Sequence, residues 1–167
     1  MLCNMDTVFS IFVSFSFIPF ILLSFTAFIP MLMDTGGNSG SQASVTIIRA
    51  LSLGEVDLKD IFKVLWKEIR VGVLCGASLA VINFAKIWLV DKMLLGTSGI
   101  TVTVDLVINL TLFVEIIFAK IVGCTLPIFA KKLKFDPAVM SSPFITTIID
   151  ALSLLIYFGL ATAILHI

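Results

Sequence analysis

Charged side chains are scarce in this chain, and so are histidine and tyrosine. Only 13% of its 167 residues are charged, and it has one histidine, one tyrosine and a formal net charge of zero. A soluble domain carries about 25% charged residues, so a soluble fold would lack the polar surface that it needs. A zero net charge gives no support to nucleic-acid binding. Apolar residues make up 59% of the chain instead, which indicates a membrane protein.

Three further absences narrow the class of membrane protein. Cys3, Cys75 and Cys124 are too scattered for a zinc cluster or a disulfide framework, so Cys75 and Cys124 are predicted to act as small hydrophobes within helices. No GxxxxGK[ST] run occurs, so the chain has no visible machinery for ATP-driven pumping. Residues 1–6 contain no lysine or arginine, unlike the start of a signal peptide, and the first apolar segment is therefore predicted to be a retained helix.

Four apolar segments predict an all-α, polytopic transmembrane bundle formed by residues 1–167 as one domain. A helix needs about 20 apolar residues to cross a bilayer. The predicted helices are 8–53, 71–90, 102–129 and 137–165. The connector at 55–70 mixes acids and bases at helical spacing, which favours a helix lying at the membrane surface.

Lysine and arginine are concentrated in two connectors, which predicts the topology. Cytoplasmic connectors are enriched in these residues, and two crossings separate the two basic clusters, so both are predicted to lie inside. The N-terminus, the loop at 91–99 and the C-terminus are then outside, with Lys92 as the exception. The basic residues of the two clusters are Arg49, Lys59, Lys63, Lys67, Arg70, Lys131, Lys132 and Lys134.

A polar stripe in the last segment is the clearest candidate site. Ser142, Thr146 and Asp150 recur every four residues and so share one helical face. A charge at mid-bilayer costs at least about 2.5–3.5 kcal/mol, which makes an intramembrane acid a functional candidate. The stripe is interpreted as oxygen ligands for a cation. The alternative is helix packing through Ser142 and Thr146, with Asp150 protonated or paired to a lysine.

A second candidate stripe lies in the glycine- and amide-rich run at 36–42. Asp34, Gly37 and Ser41 are spaced to share a helical face, and side-chain-poor backbone at membrane depth is tolerated where it lines a water-filled path. Magnesium takes oxygen ligands and sheds its water reluctantly, so a wide, oxygen-lined path fits better than a closed cage. The alternative is a small-residue helix interface through the GxxxG spacing of Gly36 and Gly40.

Other ionisable residues are given structural interpretations. Glu115 is predicted to pair with Lys86 on the neighbouring helix. Asp105 lies near a helix start, where an acid is favoured in any case. His166 stands at the penultimate position, and no proton relay or metal site is predicted there.

The run PMLMDTGGNSGSQASVTIIRALSLGEV resembles the signature of the MgtE family of magnesium channels and transporters, with its GGN-x-G-x-Q core and following IRAL-x-LGE-like helix. KEIRVG, KFDPA and SSPFITTIID resemble later parts of the same family. The resemblance extends from about residue 25 to the C-terminus. It implies a homodimer with an ion path near the two-fold axis, in a prokaryotic cell membrane, and no enzymatic activity.

The resemblance also implies roles for the two stripes. It makes Asp150 the main magnesium-coordinating carboxylate, with Mn2+ or Co2+ as alternative ions. Seven residues are assigned to the metal path: Asp150, Asp34, Ser142, Thr146, Ser41, Gly37 and Asn38.

The chain also departs from the family pattern. Family members usually carry a cytosolic N-terminal domain and paired CBS domains, and five transmembrane helices. This sequence is expected to lack the cytosolic domains and the first helix, and a separate regulatory subunit is one source for the missing sensor. Ser41 and Ser142 stand where some members have asparagine, and Asp34 stands where glycine is common. These differences concern selectivity and gating.

Three rival functions remain open. A cation-coupled exchanger would use the same acid, Asp150. A non-conducting accessory membrane subunit would explain the expected absence of a helix and a sensor. Gly37-Asn38-Ser39-Gly40 also matches the GxSG pattern of rhomboid proteases, but the only histidine available as a base is His166.

Overall fold

The computed structural model consists of helices and short connections over the backbone that it describes, which is 5–94, 102–139 and 142–165; side chains are described for 26–90, 93, 102–139 and 142–164. The long helices are α1 (Met5–Ser52), α2 (Ile61–Lys86), α3 (Val102–Lys132) and α4 (Ser142–Leu165). Short 3-10 turns at Leu58–Asp60 and Pro137–Val139 precede α2 and α4, and Ile87–Leu94 continues α2 as a π-helix. The prediction of an all-α chain is confirmed.

Three helical segments within the described residues are long and apolar enough to cross a membrane. They are Leu58–Val90, Val102–Lys132 and Ser142–Ile164. The fourth predicted crossing falls in α1, whose 48 residues extend about 72 Å at 1.5 Å per residue. Because α1 is unbroken through the glycine-rich run, Asp34, Gly37 and Ser41 do share a helical face.

The start of α2 differs from the sequence prediction. Residues 61–70 are not a separate helix but the first turns of α2, which runs without a break through residue 71. No proline or glycine interrupts this stretch, and its Val64 and Glu68 are buried in the bundle. The charge of Glu68 is met by Lys120 of α3, with Nζ and Oε2 3.6 Å apart. This internal ion pair allows a charged segment to continue into the bundle.

The start of α4 also differs from the prediction, by about five residues. α3 ends where Lys134 takes a left-handed conformation with φ of 62°, and Phe135 N–H then donates to the carbonyl of Ala130 at 3.0 Å, a common helix stop. The 3-10 turn at Pro137–Val139 follows, and α4 begins only at Ser142. Pro143 stands in its first turn, where a missing N–H costs nothing.

α3 is the central helix, because it packs against each of the other three. Two glycines bring α1 and α3 into backbone contact: a Cβ on Gly123 would collide with the carbonyl oxygen of Gly40. Small residues allow this kind of close approach between membrane helices. The predicted small-residue interface is therefore present at Gly40. Cys124 of α3 is buried in the core, as predicted, whereas Cys75 of α2 is exposed.

The two basic connectors lie at the same end of the bundle. Lys131 at the end of α3 approaches Asp57 in the α1–α2 connector, with Nζ and Oδ1 3.9 Å apart. This agrees with the predicted topology, in which two crossings separate the clusters. Their cytoplasmic location stays a prediction.

Candidate cation site

The polar stripe of α4 lies beside the helix face that packs into the bundle. Ile145, Ile149, Ser153 and Tyr157 recur every four residues and are buried. Asp150 follows Ile149 directly and is half-buried. It lies eight residues beyond the start of α4, about 12 Å along the axis, and therefore well inside the apolar span. The packing of this buried face therefore sets how far the Asp150 carboxylate projects from the bundle.

Gly37 brings the backbone of α1 against the polar stripe of α4. A Cβ built on Gly37 would lie 3.3 Å from Asp150 Oδ1 and 3.3 Å from Thr146 Cγ2. A few residues further along, the hydroxyls of Ser41 and Ser142 are hydrogen-bonded to each other. The structure therefore brings together five of the seven predicted site residues, on facing sides of α1 and α4.

The other two predicted residues, Asp34 and Asn38, lie on the exposed side of α1. Asp34 is close enough to Asp150 for the two negative charges to repel each other. Gln42, four residues after Asn38, is exposed on the same side of α1. It was not among the predicted site residues, although the same i, i+4 spacing could have included it.

Glu115 of α3 lies behind the site, and its role differs from the sequence prediction. It is 1% exposed and accepts a hydrogen bond from the Ser153 hydroxyl of α4. Within the part of the chain that the structure describes, its other carboxylate oxygen, Oε2, has no hydrogen-bond partner. The predicted partner, Lys86, has its Nζ 5.7 Å from the ring centroid of Phe28.

Gly36 explains how Glu115 fits beneath α1. A Cβ on Gly36 would collide with the carboxylate of Glu115. The charge of Asp150 also acts on the buried Glu115, which lies behind the contact between α1 and α4. Ser153, which orients Glu115, was not singled out from the sequence, although it follows Asp150 by three residues and therefore lies near it on α4.

The arrangement suits a hydrated cation more than a tightly held one. Within the described residues, no three histidine, cysteine, aspartate or glutamate side chains converge as a metal cage. The Thr146 hydroxyl donates to the carbonyl of Pro143 at 3.0 Å, which leaves its oxygen free only to accept. Oxygens facing an ion that keeps several waters match the behaviour of magnesium. His166 and residues 95–99 of the predicted outer loop lie outside the described residues.

The comparisons with known proteins find one and the same family. Residues 29–160 match the model of the MgtE family, described as divalent cation transporters. The magnesium transporter MgtE of Bacillus subtilis is 37% identical over 143 residues, which cover 83% of this chain and 29% of that protein. The Thermus thermophilus protein of the same name is 36% identical over 140 residues, and the Enterococcus faecalis protein is 30% identical over 135. The chain spans less than a third of the length of these relatives.

Proposed function

Because the chain belongs to the MgtE family of divalent cation transporters, we propose that it moves Mg2+ across the membrane along a path between α1 and α4. The observation that carries this proposal is the contact of Gly37 with Asp150 and Thr146. It joins two stripes that spacing alone had predicted separately, at membrane depth. The bilayer and a divalent ion are the partners that this function requires.

Electrostatics supports a cation at this contact. Asp34 and Asp150 are close enough for their negative charges to repel each other, and the charge of Asp150 also acts on the buried Glu115. A cation between Asp34 and Asp150 relieves this repulsion, since an opposite charge within about 4–6 Å favours the ionised form of a carboxylate. Divalent ions gain more from two carboxylates than monovalent ions do, because the Coulomb energy scales with charge.

The exposed side of α1 supports a second copy of the chain around this path. Asp34, Asn38 and Gln42 are exposed along one side of α1, beside Gly37 and hence at the depth of Asp150. Polar groups at that depth do not face lipid, but protein or a water-filled path. A homodimer that pairs these sides covers them and encloses the path, and cross-linking of Asn38→Cys between two chains in membranes tests this pairing.

Flux of Mg2+ into liposomes containing the purified protein tests the function. We expect Asp150→Asn to lower the flux at least about tenfold, since a hydrogen bond to a charged group contributes about 1.5–3 kcal/mol. Thr146→Val is expected to lower the flux less. Thr162→Val is its matched control: Thr162 is exposed on α4, donates to its own helix at Phe158 O, 2.9 Å away, and should leave the flux unchanged.

The same liposomes separate the rival functions. Flux that follows the Mg2+ gradient without an imposed proton or sodium gradient supports a channel, whereas strict dependence on such a gradient supports an exchanger. Folded wild-type protein that moves no ion supports the accessory-subunit alternative and contradicts the proposal. Competition of Mn2+ and Co2+ with the Mg2+ flux shows which ion the protein prefers.

A further inference from the structure

A cavity of about 590 Å3 lies between the C-terminal end of α1 and the first turns of α2, away from the α1–α4 contact. Basic and acidic side chains both line it. The cations are Arg49, Lys63, Lys67 and Arg70, and the acids are Glu55, Asp60 and Glu68. The proposed Mg2+ path uses none of them.

Two of the three acids in this cavity make other contacts, whereas the third, Glu55, is exposed. Glu68 is buried and pairs with Lys120 at 3.6 Å, so its charge is compensated from α3. Asp60 Oδ2 accepts a hydrogen bond from the backbone N–H of Asp57 at 3.1 Å. Lys63 and Lys67, in contrast, are exposed on α2. Because four cations face three acids and Lys120 compensates one of those acids, the cavity has a surplus of positive charge that complements an anion.

The cavity also opens at the charged first turns of α2, next to the apolar run that begins at about residue 71. Two large aromatic side chains stand out from these turns: Phe62 is 80% exposed and Trp66 62% exposed. Trp66 lines the cavity, and the guanidinium of Arg70 lies 5.9 Å from the centroid of its ring. Exposed tryptophan next to arginine is typical of the level of the lipid headgroups.

We propose that this cavity binds the phosphate headgroup of an anionic membrane lipid. Arg49, Lys63 and Lys67 surround the phosphate, and the acyl chains lie along the exposed faces of Phe62 and Trp66. Basic pockets between membrane helices on the cytoplasmic side bind anionic headgroups in this way. The exposed rings of Phe62 and Trp66 favour a lipid over free phosphate, because a free anion gains no favourable contact from apolar surface at the cavity mouth. The site does not depend on the ion path, and its test uses lipid retention instead of flux.

The test compares lipid retention by purified protein in nanodiscs of phosphatidylcholine with a minor fraction of phosphatidylglycerol. Native mass spectrometry counts the phosphatidylglycerol that stays bound, and the Tm is followed with added phosphatidylglycerol, phosphatidylcholine or inorganic phosphate. We expect wild-type protein to retain phosphatidylglycerol and to gain Tm with that lipid alone. Lys63→Gln combined with Lys67→Gln should weaken retention about thirtyfold, from about 1 kcal/mol per lysine near the surface.

A matched control separates a site from general surface attraction. Lys59 and Lys132 are exposed, and neither lines the cavity. Lys59→Gln combined with Lys132→Gln should retain phosphatidylglycerol as wild type does. Equal loss in both double variants overturns the proposal, as does wild-type protein that retains no phosphatidylglycerol. A Tm gain from inorganic phosphate equal to that from the lipid also overturns it, in favour of a free-anion site.

Discussion

The side of α1 that faces α3 is closed, whereas the side that faces α4 is polar and partly open. Toward α3, Gly40 meets Gly123 through the backbone and Gly36 covers the buried Glu115. Toward α4, Gly37 lies against the half-buried Asp150. Adjacent glycines in one run therefore serve different neighbours. The small-residue interface holds on the α3 side, while the ion path remains our proposal for the α4 side. Variants on the first side should change stability, and variants on the second should change flux.

On the closed side of the comparison, where α3 packs against its neighbours, breaking the ion pair between Glu68 of α2 and Lys120 of α3 should have the largest effect on stability. Lys120→Met leaves Glu68 as an uncompensated buried charge, and such a loss costs about 3–5 kcal/mol. Thermal unfolding in detergent measures it. Lys131→Met is the control, because Lys131 meets Asp57 at 3.9 Å with the Asp57 side chain 77% exposed, and exposed pairs contribute about 0–1 kcal/mol. Equal losses in the two variants would show that the inner pair has no special role.

Filling the closest helix contact should come next. Gly123→Ala places a methyl group against the carbonyl of Gly40, and overpacking of this kind costs about 1–3 kcal/mol. Gly159→Ala is its matched control, since a Cβ there meets nothing within 4 Å. A glycine-to-alanine change in an unhindered helix position stabilises by about 0.5–1 kcal/mol. The two variants should therefore shift the Tm in opposite directions, and a rise in both would contradict the backbone contact.

Sequence spacing was enough for features that depend on a single helix. Ser142, Thr146 and Asp150 share a face because α4 is regular, and Asp34, Gly37 and Ser41 do so because α1 is unbroken through its glycines. Spacing of three and four residues along one helix also predicted that each stripe forms a polar surface. That prediction needs no knowledge of which helices are neighbours.

Features that depend on contacts between helices were predicted less well. Glu115 was assigned to Lys86, yet it lies under Gly36 and bonds to Ser153, because side chains distant in sequence meet only once the helices are packed. The connector at 55–70 was separated from α2 because its charges suggested a membrane surface. Glu68, which is the buried charge of this stretch, is compensated by Lys120, which lies 52 residues further along the sequence.

A methyl group on the open side should change flux more than stability. Gly37→Ala directs a Cβ to 3.3 Å from Asp150 Oδ1 and Thr146 Cγ2, which are side-chain atoms able to move by a few tenths of an ångström. We expect the Tm to change little, and Mg2+ flux to fall by less than the roughly tenfold loss expected from removing the Asp150 charge. Gly159→Ala should leave the flux unchanged. A Gly37→Ala variant that loses stability but keeps full flux would place Gly37 on the closed side instead.

The smallest expected effect concerns the hydroxyl pair that joins α1 to α4. Ser41 is 8% exposed and bonds to the exposed Ser142, and a single hydrogen bond contributes about 0.5–1.5 kcal/mol. Ser41→Ala, Ser142→Ala and the double variant form a cycle measured by thermal unfolding. If this bond joins the helices, the double variant loses less stability than the two single losses added together, because each single change already removes the same interaction. Additive losses would mean that apolar packing alone joins α4 to α1 at this end. The open side would then lack the polar tie that keeps the stripe of Ser142, Thr146 and Asp150 in register with α1.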